Sequence, residues 1–211
     1  MDYRRVTITH NNKKKTYTFP IFCKAIEKFN KVGFRKNKVL KTECRDVELT
    51  IAELLMETPH KNLVKIYKVD REQKTILMER LKLNKEDYYP KMPKKHQIKI
   101  YLKHIKSALE HLKSLGIVYV DLKGLNTGYC SKNKQWKLFD FNCSNFYDNN
   151  NEWVFKKRIP IFIKSYVKNL KPNEIDDFIF KYFKKSLKKA ISSGCDYEAE
   201  LEGYDYTDLM D

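Results

Sequence analysis

From His96 to Leu115 the apolar residues at 98, 101, 102, 105, 108, 109, 112 and 115 trace one helical face, and Gly116 follows where a C-terminal cap is expected. Directly behind this helix come a short apolar run, Ile117-Val-Tyr-Val120, and the polar string Asp121-Leu-Lys123-Gly-Leu-Asn126. A second apolar run, Trp136 to Phe139, delivers Asp140-Phe141-Asn142, with Asp140 placed 14 residues after Asn126. Both apolar runs read as short strands. A further helix is expected from about Glu174 to Ile191, with Asn173 as its cap, Asp176 and Asp177 in its first turn, and an apolar stripe at 175, 178, 179, 182, 183, 187, 190 and 191. The second half is therefore mainly helical, with a small β element carrying polar residues.

The first half alternates differently. Arg5-Val-Thr-Ile-Thr and Thr16-Tyr-Thr-Phe flank a polar Asn-Asn-Lys-Lys-Lys turn and read as a hairpin. Val47 to Met56 has apolar residues at 47, 51, 54 and 55, a helical spacing that stops before Pro59. Leu63-Val-Lys-Ile-Tyr-Lys-Val and Thr75-Ile-Leu-Met then read as two strands separated by Asp70-Arg-Glu-Gln-Lys.

At 211 residues, with 42% hydrophobic residues, the chain can build one core or two small lobes, but not several independent domains. The order of elements gives an α+β class. No apolar run approaches the roughly 20 residues that cross a bilayer, and the N-terminus carries no signal-peptide stretch, so an intracellular, cytoplasmic protein without a membrane partner is expected. The five cysteines are odd in number, widely spaced and without a C-x-x-C pair, which suits reduced thiols. The formal charge of +16 suits a polyanion, whether nucleotide phosphate, acidic protein or nucleic acid. No groove-reading motif is present, so nucleic acid is the less favoured partner. Residues 196–211 hold seven acids and no Lys or Arg, so the preceding 195 residues carry about +23. A solvated acidic tail is the simpler expectation for this segment, and folding back onto a basic face is the alternative.

Phosphoryl transfer needs a carboxylate to orient the attacking hydroxyl, a cation for the moving phosphate and oxygen ligands for Mg2+. One Asp, one Lys, one Asn and a second Asp supply these. Here the chain resembles the protein kinases, whose catalytic loop H-R-D-L-K-x-x-N and metal-binding D-F-G lie at this spacing after a long helix. The resemblance implies a two-lobed fold, with a small β-rich N-lobe over about 1–80, a truncated, mainly helical C-lobe over about 81–195, and an acidic tail over 196–211. It implies ATP and Mg2+ as cofactors and a protein as substrate. By position, Asp121 is the catalytic base, Lys123 the phosphate contact, and Asn126 and Asp140 the metal ligands. Lys123, two residues after Asp121, is similar to Ser/Thr rather than tyrosine kinases.

Upstream, His60-Lys-Asn-Leu-Val-Lys-Ile-Tyr resembles the entry to a kinase strand, and Thr75-Ile-Leu-Met-Glu-Arg-Leu resembles the strand leading to the adenine-binding hinge. Met78 then guards the nucleotide pocket, and Glu79 to Leu81 offer backbone hydrogen bonds to adenine. Val39-Leu-Lys41 resembles the V-A-I-K strand, with Glu48 or Glu53 downstream as the partner; Phe22-Cys-Lys24 is the rival lysine. Lys41 with Glu48 is the preferred pair. Asp177 is similar to the buried Asp of a later kinase helix, with a helix-dipole role as the equal alternative.

The departures are specific. No G-x-G-x-x-G occurs, Tyr119 and Val120 stand where His and Arg are usual, Asn142 replaces the Gly after Asp-Phe, and no A-P-E follows. Such shortening is similar to the minimal kinases of the RIO and Bud type, and the Lys/Asn-rich composition is similar to kinases of large DNA viruses, in which case the compartment is the host cell. The expected activity is a Ser/Thr protein kinase. The missing glycine loop keeps a pseudokinase, binding nucleotide or a partner without turnover, as the second reading.

Overall fold

The computed structural model describes the backbone of residues 3–10, 13–20, 32–35, 37–82, 93–154 and 170–193, and the side chains of 37–82, 93–154 and 170–189. The chain divides into two compact units. One is Met1–Pro59 with Val64–Arg80, and the other is His60–Leu63 with Leu81–Asp211.

The first unit is built from sheet. Strands β1 (Tyr3–His10) and β2 (Lys13–Pro20) form the hairpin expected from the sequence, with Thr7 opposite Thr16. Strands β3 (Val32–Arg35), β4 (Lys38–Lys41), β5 (Ile66–Asp70) and β6 (Thr75–Glu79) form an antiparallel sheet in the order β3-β4-β6-β5. β6 is central, and its run Thr75-Ile-Leu-Met78 is buried residue after residue. That explains why it reads as a continuous apolar run rather than an alternating one. Helix α1 (Asp46–Glu57) packs against β5 and buries Val47, Leu49, Ile51, Ala52 and Leu55. Asp46 and Glu48 in its first turn complement the helix dipole.

One sequence expectation shifts here, and one strand is additional to those expected. β5 starts at Ile66, not Leu63, because Leu63 instead bridges Leu138 within the second unit. Strand β3, with Gly33 at its second position, had no apolar run to announce it.

The second unit centres on helix α2 (Ile98–Ser114), whose stripe Ile98, Tyr101, Leu102, Ile105, Ala108, Leu109 and Leu112 is buried. Each large apolar side chain so buried contributes roughly 1.5–3 kcal/mol. Gly116 ends the helix at φ 71, a left-handed conformation that costs an L side chain energy, and its carbonyl accepts the Tyr147 amide at 2.9 Å. Four short strands follow: β7 (Ile117–Val118), β8 (Thr127–Cys130), β9 (Gln135–Leu138) and β10 (Asn145–Phe146). β7 pairs with β10, and β8 with β9. Helix α3 (Pro172–Ser193) packs against α2 and β7. It begins at Pro172, a residue whose fixed φ suits the first helical turn, so Asn173 lies inside the helix instead of capping it. No described helix is long and apolar enough to cross a membrane.

Polar contacts lock the hairpin of β8 and β9 in place. The Tyr101 hydroxyl meets Thr127 Oγ1 at 3.1 Å, and its ring stands edge-on to Trp136 at 5.2 Å. The buried Asn62 amide donates to the Trp136 carbonyl at 2.9 Å, while the Leu138 amide donates to the Asn62 carbonyl at 2.9 Å. On the other edge, Lys82 N–H donates to the Tyr129 carbonyl at 2.8 Å and draws Leu81 over Gly128.

A methyl group on Gly128 would lie 2.8 Å from Leu81 Cβ and 2.7 Å from its Cδ1. Since Cβ is fixed to the backbone, rotamer change cannot relieve this contact. Gly128→Ala is expected to lower stability by about 1–3 kcal/mol, the usual cost of overpacking. Chemical denaturation should show part of this loss recovered in the double variant with Leu81→Ala. An unchanged midpoint for Gly128→Ala would contradict the packing.

Candidate active site

In the sheet unit, Lys41 is the last residue of β4 and Glu48 lies in the first turn of α1. Lys41 Nζ donates to Glu48 Oε1, and both residues are buried. Removing either partner would strand a buried charge, so the pair fixes both side chains. Glu53 does not compete: it takes the Arg71 guanidinium, with Nε 2.7 Å from Oε1, on the exposed side of α1. Lys24 lies outside the described residues.

The expected hinge begins at the end of β6. Met78 is buried, opposite Val39 of β4 and Ile66 of β5. Glu79 N–H donates to the Lys65 carbonyl at 2.8 Å, and its carboxylate accepts the Lys65 amide at 2.6 Å. Arg80 N–H donates to the Asn37 carbonyl at 3.2 Å. The amides of 79 and 80 are therefore committed within the sheet unit. Leu81, buried over Gly128, opens the second unit.

The second unit gathers the polar string. Asn126 Nδ2 donates both to the Asp121 carbonyl and to Asp121 Oδ2, each at 2.8 Å, and Lys123 Nζ lies 3.0 Å from the same Oδ2. Asp121 and Asn126 are buried, whereas Lys123 is half-buried. The Phe139 amide donates to the Asn126 carbonyl at 3.0 Å, so the open end of the β8–β9 hairpin holds Asn126 and Asp140 side by side. Asp140 itself has φ 62, a left-handed backbone that Asp tolerates better than most residues. Its Oδ1 accepts the Asn142 amide at 3.4 Å, the local turn-forming bond that an Asp two residues upstream can make.

The pivot of this arrangement was read in the sequence only as a pair of departures. Tyr119, fully buried, donates its hydroxyl to the Phe139 carbonyl and stands edge-on to the Phe141 ring at 5.8 Å. Burial raises that hydroxyl well above its ordinary pKa, and the charges of Asp121 and Asp140 raise it further, so it remains a donor at any working pH. Val120 is fully buried with φ 74, a conformation costly for a β-branched residue. Asp176 holds both in place: its Oδ2 accepts the Tyr119 amide at 2.7 Å and its Oδ1 accepts the Val120 amide at 2.8 Å. These two bonds also explain why β7 stops at Val118.

The buried acid of α3 is therefore Asp176, and the expectation for Asp177 is corrected. Asp177 is exposed and pairs with Lys113 at 2.6 Å. Helical periodicity carried this signal. Asp176 shares its face with Ile179, Phe183 and Leu187, three, seven and eleven residues on, all buried. Asp177 shares its face with the exposed Lys181, Lys184 and Lys188.

Burial pushes the Asp176 carboxyl up to about 6, against the opposing effect of its two amide donors. Between pH 6 and 4 the folded chain thus holds a proton that the unfolded chain has not yet bound. The contribution of this group is greatest below about pH 4 and is lost as pH rises through 6. Asp176→Asn should flatten that pH dependence in denaturation curves. Asp176→Ala leaves two buried amides without an acceptor and should cost about 2–5 kcal/mol, while Asp177→Ala, which loses only an exposed pair, should cost under about 1 kcal/mol. Equal losses for the two alanine variants would contradict the assignment.

No curated protein sequence matches the chain as a relative. The family model of the protein kinase domain matches residues 21–167, which is more than half of the chain and takes in Lys41, Glu48, Asp121, Lys123, Asn126 and Asp140. With the sheet unit, the helical unit and this polar cluster in hand, that match establishes that the chain belongs to the protein kinase family, with an α+β fold.

Proposed function

We propose that this chain transfers the γ-phosphate of ATP, with Mg2+, to Ser or Thr of a protein substrate, with Asp121 as the catalytic base. Phosphoryl transfer is the general chemistry of the family. The observation that carries the finer reading is the double hold on Asp121: Asn126 and Lys123 both bind its Oδ2. No described residue is seen bonded to Oδ1, which we assign to the substrate hydroxyl. A carboxylate fixed through one oxygen can orient a hydroxyl with the other, and orientation is most of what a protein contributes to this reaction.

The donor set fits the cofactors. Asn126 spends its amide nitrogen on Asp121, so its Oδ1 remains as the oxygen to offer a metal, beside the carboxylate of Asp140. Hard oxygen donors in small number suit Mg2+, which keeps part of its water shell and takes phosphate oxygens. When bound, the metal would neutralise charge developing on the phosphates. Lys41, held by Glu48, would contact phosphate oxygens, and Lys123, tethered at Asp121, would meet the transferred group. Met78 and the segment Glu79 to Leu81 are assigned to the adenine; because the amides of 79 and 80 are already bonded, the Leu81 amide and the carbonyls of this segment are the groups it would use. Ser/Thr preference rests on Lys123 at the second position after Asp121.

The test is Asp121→Asn. The variant keeps size and part of the hydrogen bonding but loses the charge, so nucleotide Kd should stay within a few fold while turnover falls by roughly 10²-fold or more, the scale of a lost acid–base group. Full turnover in the variant would overturn the role of Asp121. Wild-type protein that binds ATP without transferring phosphate would favour the pseudokinase reading, for which the missing glycine loop is the motive.

A further inference from the structure

We propose that His60 and His104 form a pH-sensitive catch: as neutral rings they hold the 60–63 segment and β9 against α2, and on protonation they release both backbones. Within α2, His104, Ser107 and His111 recur at the spacing that places side chains on one face of a helix. His60 lies against that face. Its ring stacks on His111, with centroids 4.7 Å apart and planes 14° from parallel, and its Nε2 lies 3.5 Å from Ser107 Oγ. Its Nδ1 accepts the Asn62 amide at 3.3 Å. The buried His104 does the same for β9, its Nδ1 accepting the Trp136 amide at 3.3 Å.

An imidazole nitrogen accepts a hydrogen bond only while it carries no proton, so both rings must be neutral with the hydrogen on Nε2. Protonation turns each Nδ1 into a donor that faces a second donor. The charged groups acting on the rings come from all three elements and are basic: Lys61 in the segment, Lys103 and His111 on α2, and Lys137 on β9. Burial lowers the pKa of both rings; His111, Lys61 and Lys137 lower His60 further, and Lys61 and Lys103 lower His104 further. The unfolded chain therefore takes up these protons first as pH falls, and the stability held by the neutral rings is present above about pH 6.5 and lost below it, toward the lowered folded values. Both catches close on one stretch of backbone. Asn62 donates its side-chain amide to the Trp136 carbonyl and accepts the Leu138 amide, and Phe139 beyond it bonds the Asn126 carbonyl. Release at the histidines thus loosens the strand end that sets Asn126 beside Asp140.

The experiment is residue-resolved amide hydrogen exchange of the full chain from about pH 7.5 to about pH 5, the range in which histidine changes charge, with each rate corrected for its intrinsic pH dependence. The catch requires the protection of the Asn62 and Trp136 amides to fall several-fold toward acid, while the Lys82 amide, bonded to the Tyr129 carbonyl, keeps its own. Protection that stays constant at Asn62 and Trp136, or that falls equally at Lys82, would overturn the proposal. In the variant H60N/H104N an amide oxygen replaces each Nδ1 as acceptor but cannot titrate, so the pH dependence at both amides should flatten. The same loss in the variant as in the wild type would contradict the catch. A second measurement needs no variant: 15N spectra of the wild-type rings should show a bare Nδ1 on His60 and His104 at neutral pH and midpoints below about 6.5. A proton on Nδ1 of either ring at neutral pH would overturn the assignment.

Discussion

The carboxylate of Asp176 is the constraint on which the rest of the helical unit depends. It takes the amides of Tyr119 and Val120 at once, ends β7, and keeps Val120 at a φ that a β-branched residue would otherwise leave. Tyr119 is then tied at every polar atom. Its carbonyl accepts the Asp121 amide at 2.9 Å and Ser144 Oγ at 3.1 Å, and its hydroxyl reaches the Phe139 carbonyl. One buried acid on α3 therefore positions, through one tyrosine, both the start of the Asp121 loop and the strand end that carries Asp140.

This arrangement gives physical content to the replacement of His and Arg by Tyr119 and Val120. Val120 has no charge with which to read a phosphate, and its buried side chain serves only as packing. Tyr119 supplies both a ring for Phe141 and a donor for the carbonyl before Asp140. The polar cluster thus rests on bonds that form within the fold.

Much of the fold, and the residue strings that form the candidate site, were legible in the sequence, and the reasons are local. The α2 stripe, the Gly116 cap and the Asp121–Asn126 and Asp140–Asn142 strings are short-range patterns, so periodicity and spacing reveal them. Lys41 with Glu48 is the pair the sequence favours, and burial supplies the physical reason: Glu48 turns inward while Glu53 meets Arg71 in solvent. The expectation for Asp177 failed although helical periodicity distinguishes it from Asp176, because it rested on likeness to a later kinase helix and not on which face of this helix is buried. β3 and the late start of β5 were illegible for a different reason: pairing partners decide them, and those partners are distant in sequence.

Lys41 pairs with Glu48 in the sheet unit, and Asp121, Lys123, Asn126 and Asp140 lie in the helical unit. The central claim is that these residues serve Mg2+-dependent transfer to a hydroxyl. Its most direct test is incubation of the purified full chain with γ-labelled ATP and a mixed Ser, Thr and Tyr peptide pool, with Mg2+ and with chelator, followed by identification of the labelled amino acids. The account predicts label on Ser or Thr that disappears with the metal. Nucleotide binding with no labelled peptide, or label that persists in chelator, would contradict it.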